Sequence, residues 1–163
     1  MPSFDIAVAA DPGDYATGKA LMVEYRDLEL ADDYAVGGCG LNEELENFPG
    51  TYVPPKGILL LVRDNKIACG CLALRPVSDD VGEVVRMYVK QAWRGRGIAE
   101  ALMQTLLSRA RDMGYRKLYL DSLNKFSGAH RLYEKMGFHY CEPYSDNITD
   151  AMKQQMIFMQ LIL

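Results

Sequence analysis

The sequence predicts an α/β protein built on one sheet, and three observations carry that reading. The chain has 163 residues, the length of a single domain, and such a chain buries roughly two thirds of the surface its unfolded form exposes. Apolar residues make up 49% and charged residues 25%, as in an ordinary globule. Runs rich in β-branched residues alternate with stretches of helical periodicity, in the order β-α-α-β-β-β-α-β-α-β-β. With no repeat, low-complexity segment or linker-like tract in view, residues 1–163 are taken as one domain.

The first strand is SFDIAVAA, residues 3–10, which alternates weakly. Asp11-Pro12-Gly13-Asp14 is a turn with an acidic helix start. From Tyr15 to about Asp33, Leu21, Tyr25, Leu28 and Leu30 fall at helical spacing, until Gly37-Gly38-Cys39-Gly40 breaks the pattern. Asn42 to Phe48 is a short second helix with Asn42 as its cap. FPGTYVPPKG, 48–57, is an irregular loop, because its prolines and glycines do not suit a regular ladder. Ile58–Val62 and Ile67–Leu74 are a strand pair about a turn at Asp64-Asn65. Arg75-Pro76 ends the second of them. Gly82–Lys90 is a third long strand, rich in Val and Tyr, with Val85, Met87 and Val89 expected on one core face. Ile98–Met113 is a helix with Leu102, Leu106, Ala110 and Met113 on one stripe, stopped by Gly114. Lys117–Asp121 is a strand, Ala129–Met136 a helix ended by Gly137, and Phe138–Cys141 and Met156–Leu161 are closing strands.

Charge and cysteine content narrow the function. The formal net charge of −4 is a poor match for nonspecific nucleic-acid binding. Lacking a run of about 18 apolar residues, the sequence predicts no membrane span. MPSFDIAVAADPGD does not read as a signal peptide, since it lacks a basic start and carries early acids. Cys39, Cys69, Cys71 and Cys141 lack zinc-ligand spacing, so no metal is expected. Cys69 and Cys71, two apart in a strand, are expected on one face as small buried side chains. Reduced thiols suit a cytoplasmic protein.

The stretch QAWRGRGIAEAL, 91–102, carries the chemistry. Arg94-Gly95-Arg96-Gly97 can be a phosphate-holding loop, a basic tag for nucleic acid, or an ordinary turn. Its place between a strand and a helix favours the first. The opening turn of a helix presents unpaired N–H groups and the positive end of the dipole. Glycines keep Cβ atoms away from those donors, and the two arginines add charge-assisted ones. The spacing fits neither the Walker loop nor the dinucleotide fingerprint.

Arg94-Gly95-Arg96-Gly97-Ile98-Ala99 resembles the Q/R-x-x-G-x-G/A signature of the GNAT superfamily of N-acetyltransferases. GEVVRMYV upstream resembles that family's acetyl-CoA-binding strand, and AHRLYEKMGFHY, 129–140, resembles its A-x-x-L-Y-x-K-x-G-F segment. The three follow the family order over about 80–144, and VPPKG, LALRP and EPY resemble a bacterial branch of it. The resemblance implies a GNAT-like fold with a mixed, mostly antiparallel central sheet flanked by helices. It implies acetyl-CoA as co-substrate and acetyl transfer to a primary amine by direct attack in a ternary complex. The amides of Gly95, Gly97, Ile98 and Ala99, with Arg94 and Arg96, would hold the pyrophosphate. Met87, Tyr88 and Val89 would meet the pantetheine arm, with the oxyanion donor around Met87.

Such a transfer needs an amine that has lost its proton. An amine of pKa near 10.4 is neutral in only about one molecule in 10³ to 10⁴ at pH 7. Glu83, eleven residues before Arg94, stands where some family members keep a base; the alternative is a solvated acid at a strand start. Tyr133 matches the tyrosine that protonates the departing thiolate, against the alternative of a core tyrosine. The family's usual Asn contact has no match, because Phe126 occupies its position and Asn124 lies two residues earlier. His130 and His139 read as surface or structural. Eight acids and one base between Glu24 and Glu46 would draw a cationic acceptor, or are a solvated helix face. Tyr34, Phe48, Tyr52 and Pro54-Pro55 are candidates for a slot wall. A non-catalytic acyl-CoA sensor or partner module is the alternative function, the acceptor is unassigned, and a homodimer is left open.

Overall fold

The computed structural model describes residues 3–30, 40–146 and 148–163. Strand β1 (Phe4–Val8) leads to helix α1 (Pro12–Glu29) and short helix α2 (Leu41–Glu46). An antiparallel run follows: β2 (Ile58–Asp64), β3 (Ile67–Pro76) and β4 (Val81–Val89). Helix α3 (Ile98–Asp112), β5 (Lys117–Leu123), α4 (Ser127–Lys135), β6 (His139–Tyr140), α5 (Asp150–Gln155) and β7 (Met156–Ile162) complete the order. The strands form a seven-stranded sheet, β1-β2-β3-β4-β5-β7-β6. Every neighbouring pair is antiparallel except β4 and β5. This is the mixed, mostly antiparallel sheet that the sequence predicts; α5 is an addition to the predicted order.

Two cores line the two faces. Leu102, Met103, Leu106 and Ala110 of α3 pack on Leu60, Leu72, Leu74 and Leu118. On the other face Leu21, Met22, Leu41 and Leu45 of α1 and α2 cover Leu59, Leu61, Cys71 and Ala73. Both faces of β2 and β3 are therefore apolar, and β2 reads as a continuous apolar run for that reason. Gly82 permits the tight seam between β4 and β5. A Cβ there would stand 2.9 Å from Leu74 and 3.0 Å from Leu118.

Several local expectations are corrected. Helix α1 begins at Pro12 behind an Asp11 cap, whose side chain accepts from the Asp14 N–H, and ends at Glu29. Leu28 points to solvent, 68% exposed, so the buried stripe runs through Gly18, Leu21 and Met22 instead. Gly40, not Asn42, caps α2; Asn42 Oδ1 accepts from Arg26 at 2.9 Å. The β2–β3 turn sits one residue later, on Asn65 and Lys66, both at positive φ, as a tight hairpin requires. Cys69 and Cys71 lie on opposite faces, because a register shift after Val62 inserts one residue into β3. Cys39, Tyr34 and the Gly37-Gly38 break lie outside the described residues. His139 is exposed, whereas His130 is buried with Nε2 3.0 Å from Ser122 Oγ.

Candidate active site

The parallel seam is short. It pairs Val81 with Lys117, Gly82 with Leu118 and Glu83 with Tyr119, and stops there. Beyond Glu83 the strands part, although β4 continues to Val89 and β5 to Leu123. The cause is on the other side of β4. The β3–β4 register shifts between Cys71 and Ala73, and Arg86 adopts φ +60°. A bulge bends its strand, and a left-handed arginine costs about 1–2 kcal/mol. Glu44 holds it there with two hydrogen bonds from the Arg86 guanidinium, 2.9 and 3.0 Å. Burial opposes the Glu44 charge, but Arg86 and Arg75 prevail and hold its carboxyl below the usual range. The bulge also breaks the predicted alternation. Val85 packs on the α1 side, while Met87 and Val89 pack on the α3 side.

A cavity of about 600 Å³ fills the parting. Met87, Tyr88, Val89, Arg94, Gly95, Gly97, Ile98, Ala99 and Tyr133 line it, together with Phe126. Arg96 and Glu83 do not. Gly95 and Gly97 have φ +78° and +79°, with no atom within 4 Å of where a Cβ would stand. The loop therefore delivers the start of α3 to the cavity with open space before its amides, a setting suited to an anion. The arginines are placed differently from the expectation. Arg94 donates to Val89 O at 2.9 Å and to Glu29 at 2.6 Å. Arg96 reaches Asp64 at 3.5 Å, beside the Trp93 indole N–H bond to the same carboxylate. Both therefore tie the loop to neighbouring elements.

Tyr133 is 7% exposed, and burial pushes its phenol up, so it is protonated at neutral pH. Among the described residues its hydroxyl has no protein hydrogen-bond partner, although the side chain lines the cavity. Glu83 is 7% exposed, not a solvated strand end. Its Oε1 accepts from Arg75 at 2.7 Å and its Oε2 from the Tyr144 hydroxyl at 2.6 Å. Within the acid-rich segment, Glu29 pairs with Arg94, Asp27 with Arg26, and Glu44 with Arg75 and Arg86. Asp32 and Asp33 lie outside the described residues. Tyr52 is buried in the α1–α2 core and, like Phe48, is not on the cavity wall. Phe126 is on that wall, whereas Asn124 donates to Gln154 O.

Two groups here escaped the sequence reading. Asp121 of β5 lines the cavity. Its side chain is exposed to the cavity; the protein enclosing it, and then the charge of Glu83, push its carboxyl up to about 6, against the opposing pull of Arg86 and Arg75. Tyr144, from the segment after β6, stacks on Tyr119 at 4.2 Å and lies 3.4 Å from Asp121 Oδ2. The available signal was YLDSL, an acid facing the same way as Tyr119 and Leu123 beside the candidate cofactor strand. Among the described residues, no group of His, Cys, Asp or Glu is placed to hold a metal, and no helix is long and apolar enough to cross a membrane.

A parted sheet, a glycine loop at a helix start and a buried phenol together frame a gap with room for an extended anionic molecule. The sequence profile of the Acetyltransferase (GNAT) family matches residues 22–138. The chain belongs to that family and is an acetyltransferase. An uncharacterised N-acetyltransferase of Schizosaccharomyces pombe is 32% identical over 147 residues, covering 89% of this chain and 88% of its own. An acetyltransferase structure from Streptococcus agalactiae shares the fold with a TM-score of 0.78 at 16% identity, covering both chains fully. So does a GNAT acetyltransferase from Elizabethkingia anophelis with acetyl-CoA bound, with a TM-score of 0.65, 21% identity and full coverage of both chains.

Proposed function

We propose that this protein transfers the acetyl group of acetyl-CoA to a primary amine by direct attack in a ternary complex. The observation that carries the reading is the parting of β4 and β5 at Glu83, filled by a cavity that joins the loop glycines to Tyr133. The cavity suits an extended carrier. Amides of Gly95, Gly97, Ile98 and Ala99 hold its pyrophosphate, with Arg94 and Arg96 fixing the loop through Glu29 and Asp64. The β4 edge at Met87, Tyr88 and Val89, unpaired on the β5 side, takes the amide-bearing arm as an added strand. A backbone N–H near Met87 faces the thioester oxygen, where losing such a donor costs about 3 kcal/mol. Tyr133 gives its proton to the departing sulfur as negative charge builds there. Glu83, held on both oxygens, serves the base side from behind the wall through Tyr144. Cys69 and Cys71 are free and buried, which suits a cytoplasmic enzyme acting on small or protein amines, and the net charge of −4 suits no nucleic-acid partner.

Calorimetric titration of acetyl-CoA, followed by acetyl transfer to a panel of amines, tests the proposal. Binding with transfer is the expected result. Binding without transfer to any amine makes the protein an acyl-CoA sensor, and the absence of heat removes both readings.

A further inference from the structure

Three carboxylates line the cavity: Glu29, Glu100 and Asp121. Arg94 neutralises Glu29 at 2.6 Å and Lys135 neutralises Glu100 at 2.9 Å. Asp121 has no ion-pair partner among the described residues; its one hydrogen-bond contact is the long one to Tyr144, at 3.4 Å. It stands on β5, across the parting from the β4 edge, on the wall that also carries Tyr133. The structure assigns Asp121 as the catalytic base that takes the proton from the acceptor ammonium, with Glu83 and Tyr144 as its positioning residues.

The assignment presupposes the acetyl transfer proposed above. In the reaction, the Asp121 carboxylate accepts one proton from the ammonium. The freed nitrogen lone pair forms the C–N bond to the carbonyl carbon, and the C–S bond breaks. Tyr133 protonates the sulfur and its oxygen regains a proton from the acylated nitrogen. One proton leaves Asp121 for solvent, which balances the cycle.

The surrounding groups give the carboxylate a suitable strength. Glu83 and Arg86 from β4, Arg75 from β3, Tyr144 from the segment after β6, Tyr25 from α1 and Tyr133 from α4 all act on it or feel its charge. Arg75 and Arg86 are already matched by Glu83 and Glu44, so neither captures Asp121. The protein enclosing this cavity-facing carboxyl, and then the Glu83 charge, lift it towards neutrality, where a base is most effective. An unpaired acid on the wall also attracts a cation, which makes the acceptor an amine that arrives as ammonium.

The test uses the full chain, with putrescine, phenethylamine and lysine methyl ester as acceptor probes, and reads kcat/KM against pH. Asp121→Asn is expected to lower the rate about 10²- to 10⁴-fold and to abolish the acid limb. Glu83→Gln is expected to keep that limb but move it to lower pH, because a neighbouring negative charge has gone. A carbon-13 titration of the wild-type Asp121 carboxyl, assigned by its loss in Asp121→Asn, is expected to give a midpoint near 6. The base assignment is overturned if Asp121→Asn keeps the rate and limb while Glu83→Gln loses them, or if Asp121 titrates in the ordinary carboxylate range. Wild-type protein that binds acetyl-CoA but acetylates no probe overturns the proposed function, and the base with it.

Discussion

Tyr133 and Asp121 show what single side chains contribute. Tyr133→Phe removes one oxygen from a buried ring that keeps its contacts with His130 and Phe138. We expect turnover to fall about 10²-fold while the acetyl-CoA dissociation constant changes less than about twofold; single-turnover kinetics beside calorimetry checks both. Asp121 also has a stability signature. Its folded carboxyl titrates near 6, above the ordinary 3.8, so the folded chain holds more protons than the unfolded one in that interval. Stability therefore declines as pH climbs from about 4 to about 6, and the loss persists above. Asp121→Asn should be more stable at pH 7 by about 1 kcal/mol, after allowance for solvent in the cavity, and no different below pH 4. Urea unfolding at the two pH values reads the difference. The place of Tyr133 on the cavity wall was legible in the sequence through its motif. Asp121 was not, because its significance depends on which neighbouring carboxylates already have partners.

At the scale of elements, α3 and its loop were the most legible part of the molecule. The apolar stripe and the glycine stops are local signals, and they survive folding. Gly97 and Gly114 allow the loop's role to be separated from its strain. Both sit at positive φ with open space around them, and Gly97 alone lines the cavity. Gly97→Ala and Gly114→Ala are each expected to cost about 1–2 kcal/mol, measured by urea unfolding. Calorimetry should show acetyl-CoA binding weakened about tenfold or more in Gly97→Ala alone. The bend in β4 was not legible. GEVVRMYV reads as a straight strand, and the bulge at Arg86 depends on Glu44, 42 positions upstream. The same is true of Glu83, whose partner Tyr144 is 61 positions downstream.

The whole molecule joins two antiparallel systems, β1 to β4 and β5-β7-β6. A carrier bound between them favours the folded state. Acetyl-CoA at 100 times its dissociation constant should add about 2.7 kcal/mol, a rise in Tm of about 5–10 °C for a chain of this length. The family order of motifs made the sheet's overall plan legible, but not how little of β4 and β5 is paired. Three residue pairs are the whole backbone ladder between those strands. The fault line of the protein thus runs through the proposed catalytic centre, and low concentrations of urea should silence acetylation before circular dichroism registers any loss of helix.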